Sequence, residues 1–208
     1  MKIAIIGGTG SIGSGLGERL ARNHEVIIGS RDPAKARAAA AKIRGARGEN
    51  YSTAARECDS AIVTIPFSAI GSMSSLADDL SGKLVISVIN PMRSENGMLS
   101  YGLESGSAAQ MLADALPKSR VATAFNNIPA AFFKKRETSR LDVLVAADLV
   151  GTFEEAAGIV KSIPNLRPLY AGPLSEAQVV ERITPLMLNL AKRNGMGSLS
   201  TRFVSQKE

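Results

Sequence analysis

The stretch Lys2-Ile3-Ala4-Ile5-Ile6-Gly7-Gly8-Thr9-Gly10-Ser11-Ile12-Gly13 decides the fold. Lys2–Ile6 is a short apolar run that reads as a buried strand, and Ser11–Asn23 reads as the helix after it. Gly8, Gly10 and Gly13 between them satisfy G-x-G-x-x-G in the strand-then-helix context that a dinucleotide-binding turn requires. Gly8 permits the tight turn, Gly10 lets backbone approach a pyrophosphate, and Gly13 lets helix and strand pack closely. The first helical N–H groups and the positive end of the helix dipole then favour a phosphate. Thr9, Ser11 and Ile12 complete the loop residues assigned to the nucleotide.

Working outward, short Val- and Ile-rich runs alternate with helical stretches. The strands expected are Lys2–Ile6, Glu25–Gly29, Ser60–Ile65, Lys83–Val88, Arg120–Phe125, Leu141–Ala147 and Leu166–Tyr170. Helices are expected over Ser11–Asn23, Pro33–Arg44, Ser68–Leu80, Ser107–Leu116, Phe153–Ser162 and Glu176–Asn194. Near-continuous apolarity suits central parallel strands covered on both faces. The alternation predicts an α/β, doubly wound Rossmann-type, mainly parallel sheet with a small C-terminal helical extension. Asp32-Pro33 reads as a helix cap followed by proline at the first helical position. Thr152-Phe153-Glu154-Glu155 and Ser175-Glu176-Ala177-Gln178 read as capping boxes. Pro185 is expected to kink the last helix.

The second strand ends at Gly29-Ser30-Arg31, where an NAD site would usually carry Asp or Glu for the ribose. Here a hydroxyl and a guanidinium stand instead, and Lys35 follows one helical turn later. With Thr9 they form a 2′-phosphate pocket anchored by Arg31, which favours NADP over NAD. Asp32 is better explained as a cap than as a ribose ligand. Gly7, Gly10 and Gly13 also match the glycine spacing of short-chain dehydrogenases. Those enzymes need a tyrosine and a lysine four apart, but Ala55, Ser105 and Leu174 follow Tyr51, Tyr101 and Tyr170 at that distance.

Composition narrows the chemistry further. Of 208 residues, 25 are Lys or Arg and 19 Asp or Glu, a net charge of +6. The longest basic run is Lys134-Lys135-Arg136, with no nucleic-acid signature around it, so small anions are the expected partners rather than nucleic acid. No apolar stretch approaches a membrane span, and the opening run is too short for a signal peptide. A cytoplasmic protein is expected. A single cysteine, Cys58, excludes an intramolecular disulfide, and a single histidine, His24, excludes a His-rich metal site within the chain. Cys58 is expected to be buried. His24 is expected on the face away from the strand C-termini. The chain lacks both an obvious proton-transfer residue and room for a separate substrate domain. A reaction consisting mainly of hydride exchange between two cofactors would need neither.

The sequence resembles the NADPH-dependent F420 reductases. Four segments carry the likeness: Ile5-Ile6-Gly7-Gly8-Thr9-Gly10 with Gly13 and Gly29-Ser30-Arg31; Ala124-Phe125-Asn126-Asn127-Ile128-Pro129-Ala130-Ala131; Leu166-Arg167-Pro168-Leu169-Tyr170-Ala171-Gly172-Pro173-Leu174; and Thr184-Pro185-Leu186 through Asn194-Gly195-Met196-Gly197. The resemblance implies a compact Rossmann domain (residues 1–172) and a C-terminal helix and tail (173–208) that complete the site within one compact unit. It implies NADP across the strand C-termini and the deazaflavin ring of coenzyme F420 against the nicotinamide. Thr9, Ser30, Arg31 and Lys35 would hold the 2′-phosphate, and Ile65-Pro66 would border the nucleotide. Asn126, Ile128 and Ala130 would line the deazaflavin site, which Asn90-Pro91-Met92 and Gly195-Met196-Gly197 would complete. Lys134-Lys135-Arg136, outside the family pattern, reads either as a solvated loop or as a basic run that attracts the phosphate and glutamyl tail of F420. No side chain is assigned as a catalytic acid or base.

Two other readings keep the scaffold: an NADPH-dependent reductase of a flavin or metal chelate, and a non-catalytic NADP-binding redox sensor. The apolar face of the last helix packs either internally or against a second subunit; a homodimer or higher homo-oligomer is expected.

Overall fold

A computed structural model describes residues 1–134 and 139–205. Five strands build the nucleotide-binding half: β1 (Lys2–Ile6), β2 (Glu25–Ser30), β3 (Ala46–Asn50), β4 (Ser60–Val63) and β5 (Leu84–Ser87). Helices α1 (Ser11–Leu20), α2 (Pro33–Ala40) and α3 (Tyr51–Glu57) connect the first four. A hairpin, β6 (Met92–Glu95) and β7 (Met98–Tyr101), follows β5. Then come α4 (Ala108–Ala115), β8 (Arg120–Thr123), α5 (Ala130–Lys134), β9 (Leu141–Ala147), α6 (Val150–Lys161), β10 (Leu166–Gly172) and α7 (Ala177–Arg193).

The main sheet has the order β10-β9-β8-β5-β4-β1-β2-β3. From β8 to β3 the strands are parallel, and the order reverses between β1 and β4, the switch point where such sheets open a crevice. β9 pairs antiparallel with β8, and β10 follows β9 in parallel. The chain is therefore a doubly wound Rossmann-type α/β fold, as its alternation predicts. Alternate residues of the central strands feed two cores. Ile3, Ile5, Ile28, Ile62 and Ile86 pack with α1 and α6, and Ala4, Ile6, Ile27, Val63 and Val85 pack on the opposite face. Each fully buried Ile there contributes about 1.5–3 kcal/mol over exposure.

Several local expectations fail for visible reasons. Over 68–80 no α-helix forms; Phe67–Leu76 is a 3-10 segment. Ser72, Ser74 and Ser75 turn their hydroxyls back onto the carbonyls three residues earlier, competing with helical pairing. α6 begins at Val150, so Thr152 is buried inside it rather than capping it. The turn before α7 is capped from elsewhere: Leu174 N–H donates to Asp148 Oδ1 at 2.8 Å. By contrast Asp32 caps α2 as expected, accepting from Ala34 N at 2.8 Å.

Candidate functional site

The glycine turn sits at the C-terminal end of β1. Its left-handed residue is Gly7 (φ 87°), not Gly8, and Gly7 N–H donates to Gly29 O at 3.1 Å, tying the turn to β2. Gly13 provides the close approach: a Cβ there would stand 2.6 Å from Gly8 Cα. At Gly10 a Cβ would meet only Gly7 O, at 3.8 Å, so the space over this residue is open. No side chain caps α1, and its first turn carries no acidic residue. The backbone donors there are matched to an anion such as pyrophosphate. Ile65 packs over Gly7, while Pro66 is exposed.

β1 and β2 are neighbours in register, Ile6 beside Gly29, so Thr9 and Ser30-Arg31 rise from adjacent strand ends. Thr9, Arg31 and Lys35 are all exposed. Asp32 is occupied by its cap, and Ser30 Oγ accepts from Asp32 N at 3.3 Å. The carboxylate thus serves the helix, and the free charges at this corner are cationic. β3 pairs Ser30 with Asn50 and brings Tyr51 to the same corner. Burial pushes the Tyr51 phenol up, opposed by the nearby Arg31 charge. β3 carries no apolar period in its sequence, so nothing local marks Tyr51 as a neighbour of Arg31.

Beside the glycine turn lies a cavity of about 350 Å³, and Ile12 of α1 forms part of its wall. Asn90, Met92, Asn126, Ile128 and Ala130, all expected at the ring site, line it. Pro91 is buried outside the lining. Gly195, Met196 and Gly197 do not line it either; Gly195 (φ 60°) ends α7 and Met196 N–H returns to Ala191 O, which is a helix C-cap. The wall on that side comes from Thr184, Met187, Leu188 and Ala191 of α7 and from Ser198 and Leu199 beyond it. The i, i+3, i+4, i+7 spacing of the four α7 residues is the sequence signal that marks them as one helical face. No ionisable side chain lines the cavity among the described residues. Lys135 and Arg136 of the basic run lie outside the described residues.

The loop after β8 shapes this cavity. Phe125 is fully buried with φ 65°, a left-handed conformation that costs a bulky residue about 1–3 kcal/mol. The bend it makes returns Asn126 toward β8, where Thr123 Oγ1 donates to Asn126 Oδ1 at 2.7 Å. Asn126 Nδ2 donates to Ile89 O and to Asn90 Oδ1, and Thr184 Oγ1 donates to Asn126 O at 2.7 Å. Asn126 therefore cross-ties β8, the loop after β5, and α7. Its side-chain hydrogen-bonding capacity is largely committed to building the wall.

His24 and Cys58 stand away from all of this. His24 lies just before β2, and lines a cleft with Met1, Lys2 and Asp59 at the N-terminal ends of the strands. Desolvation lowers the His24 pKa. Cys58 is buried, just before β4, and burial pushes its thiol up. Among the described residues no group of three or more His, Cys, Asp or Glu could hold a metal, and no helix is long and apolar enough to cross a membrane.

The family described as NADP oxidoreductase, coenzyme F420-dependent, matches residues 2–91. The F420-dependent NADP reductase of Methanothermobacter thermautotrophicus is 37% identical over 100% of this chain and 97% of its own. That of Methanocaldococcus jannaschii is 35% identical over 91% of this chain and 92% of its own. Among solved structures, a putative F420-dependent NADP reductase from Arthrobacter sp. FB24 superposes with a TM-score of 0.88 at 21% identity, covering 99% of this chain and 100% of that one.

Proposed function

The chain belongs to the coenzyme F420-dependent NADP oxidoreductase family, and from that premise we propose that it transfers hydride reversibly between NADPH and oxidised F420. The observation that carries this reading is the cavity next to the glycine turn, with apolar and amide walls and no ionisable lining among the described residues. Such a wall suits a flat ring held face to face with another. The two cofactors supply the hydride chemistry when bound, and the chain supplies proximity and orientation.

Within this proposal Gly8, Gly10, Ser11 and Ile12 hold the pyrophosphate on the first turn of α1, and Gly13 lets that turn pack closely enough to present it. Arg31, with Thr9, Ser30 and Lys35, holds the 2′-phosphate by charge-assisted contacts. Ile65-Pro66 borders the nucleotide. Asn90, Met92, Asn126, Ile128 and Ala130 orient the deazaflavin ring, with Thr184, Met187 and Leu188 of α7 opposite. The lining supports this placement, and it omits Pro91 and Gly195-Met196-Gly197 from direct contact.

We extend the proposal to self-association through α7 and to action in the cytoplasm. Val179, Leu186 and Leu190 of α7 are exposed apolar residues, which supports an interface between copies; sedimentation velocity on the purified chain tests it. The catalytic proposal is tested by mixing NADPH with oxidised F420 and following the deazaflavin spectrum. Bleaching with turnover is the expected result. Turnover with a free flavin or an iron chelate but not with F420, or NADP binding without turnover on any acceptor, would overturn it.

A further inference from the structure

Arg167 belongs to the segment Leu166–Leu174, which carries part of the family likeness yet contributes no residue to the cavity. Its place follows from the strand reversal. Because β9 runs antiparallel to β8, Leu141 and Asp142 begin β9 at the edge where the parallel strands end. β10 follows β9 in register, so Arg167 pairs with Asp142 at that same edge.

The Asp142 side chain is 2% exposed. Arg167 Nε donates to its Oδ1 at 2.7 Å and Arg167 Nη2 to its Oδ2 at 2.9 Å, a bidentate fork. The same pair grips the C-terminal tail. Phe203 N–H donates to Asp142 Oδ2 at 2.5 Å, and Arg167 Nη2 donates to Phe203 O at 2.8 Å. Asp142 N–H also donates to Thr201 O at 3.0 Å. Asn127 completes the seam: its Nδ2 donates to Asp142 O at 2.5 Å and to Thr201 Oγ1 at 2.7 Å, while its carbonyl accepts from Ser200 Oγ at 2.9 Å. The tail therefore lies along β9 as a strap. Two residues before this seam, Ser198 and Leu199 form cavity wall. Asn127 adjoins Asn126 and Ile128, which line the cavity from the other side.

Resting on the function proposed above, we infer that Asp142 and Arg167 are positioning residues for the deazaflavin substrate, latching the tail strap so that Ser198 and Leu199 close the ring cavity. Neither touches the cavity. Both act through Phe203, Thr201 and Asn127. None of these contacts involves β1 to β5, the strands of the nucleotide-binding half.

The test compares wild type with Arg167→Ala, Arg167→Lys and Phe203→Pro. Phe203→Pro removes the N–H that reaches Asp142, together with an exposed ring and some backbone freedom, but leaves the carboxylate–guanidinium pair in place, so the strap can still be tested if Arg167→Ala fails to fold. In folded Arg167→Ala and Phe203→Pro the KM for F420 should rise about 10-fold or more, toward the roughly 100-fold cost of misplacement. NADPH affinity should stay within about 2-fold, because none of the strap contacts involves the glycine turn or the Arg31 corner. Arg167→Lys should recover part of the loss, and backbone amides over 199–203 should exchange faster in the two severed variants. An unchanged F420 KM in a variant whose strap amides exchange faster would overturn the latch, as would equal losses for both substrates. Failure of wild type to reduce F420 would instead overturn the function on which the latch rests.

Discussion

Single residues divide the work at the glycine turn into fold and ligand. Gly13 cannot take a side chain without striking Gly8 Cα, so it belongs to packing. Gly10 has no such neighbour. Gly10→Val should therefore fold, with a melting temperature close to wild type, and lose NADPH binding because its side chain fills the pyrophosphate's space. Normal NADPH titration of that variant would remove the phosphates from this loop. At the next strand end, Arg31 carries the cofactor choice. A hydrogen bond to a charged group contributes about 1.5–3 kcal/mol, so Arg31→Ala should weaken NADPH binding roughly 10- to 100-fold. NADH binding should barely change, and calorimetric titration with each nucleotide separates the two results. His24→Ala and Cys58→Ala should keep most activity in steady-state assays, because both residues lie at the N-terminal ends of the strands. The glycine motif and the Ser30-Arg31 pair were legible because their chemistry is local in sequence. Tyr51 was not, since only the pairing of β3 with β2 brings it beside Arg31.

At the scale of elements, long apolar strands announced themselves and short polar ones did not. Ala46-Arg47-Gly48-Glu49-Asn50 is an edge strand without an apolar period. The β6–β7 hairpin had a local signal, Asn96-Gly97, with both residues at positive φ as such a two-residue turn demands. Its strands, exposed or half-buried, lack the apolar alternation that would have drawn notice. α7 was legible as a helix, but not what it would grip. Asn189 exchanges hydrogen bonds with the Leu99 backbone, and buried Glu181 accepts from Tyr101 Oη and from Ala108 and Ala109 N–H, joining α7 to the hairpin and α4. The strap carries a pH signature of its own. The Arg167 fork holds the Asp142 carboxyl below its ordinary value, against the opposing effect of burial. A depressed folded pKa gives stability that is fully present above the unfolded value, about 3.9, and is lost as pH falls through the folded one. Protection of the strap amides, corrected for intrinsic exchange, should hold above about pH 4 and decline below it. Protection that persists undiminished in acid would contradict the role of the ionised pair.

The whole molecule turns on one topological choice, the reversal at β9. It brings the start of β9, the start of β10 and the tail to the edge where the nucleotide half ends its strands. Alternation in the sequence could not report it, because strand direction is not encoded in apolar runs. The account that results is of a chain that aligns two cofactors and leaves the chemistry to them. Transfer of isotope tests that most directly. NADPH carrying deuterium at the transferred position should pass the label to the reduced carbon of F420 in ordinary water, with none lost. The reverse labelling, unlabelled NADPH in deuterated water, should leave that carbon free of deuterium. Washout of the label in the first experiment, or solvent deuterium at that carbon in the second, would contradict direct transfer between two cofactors held in contact.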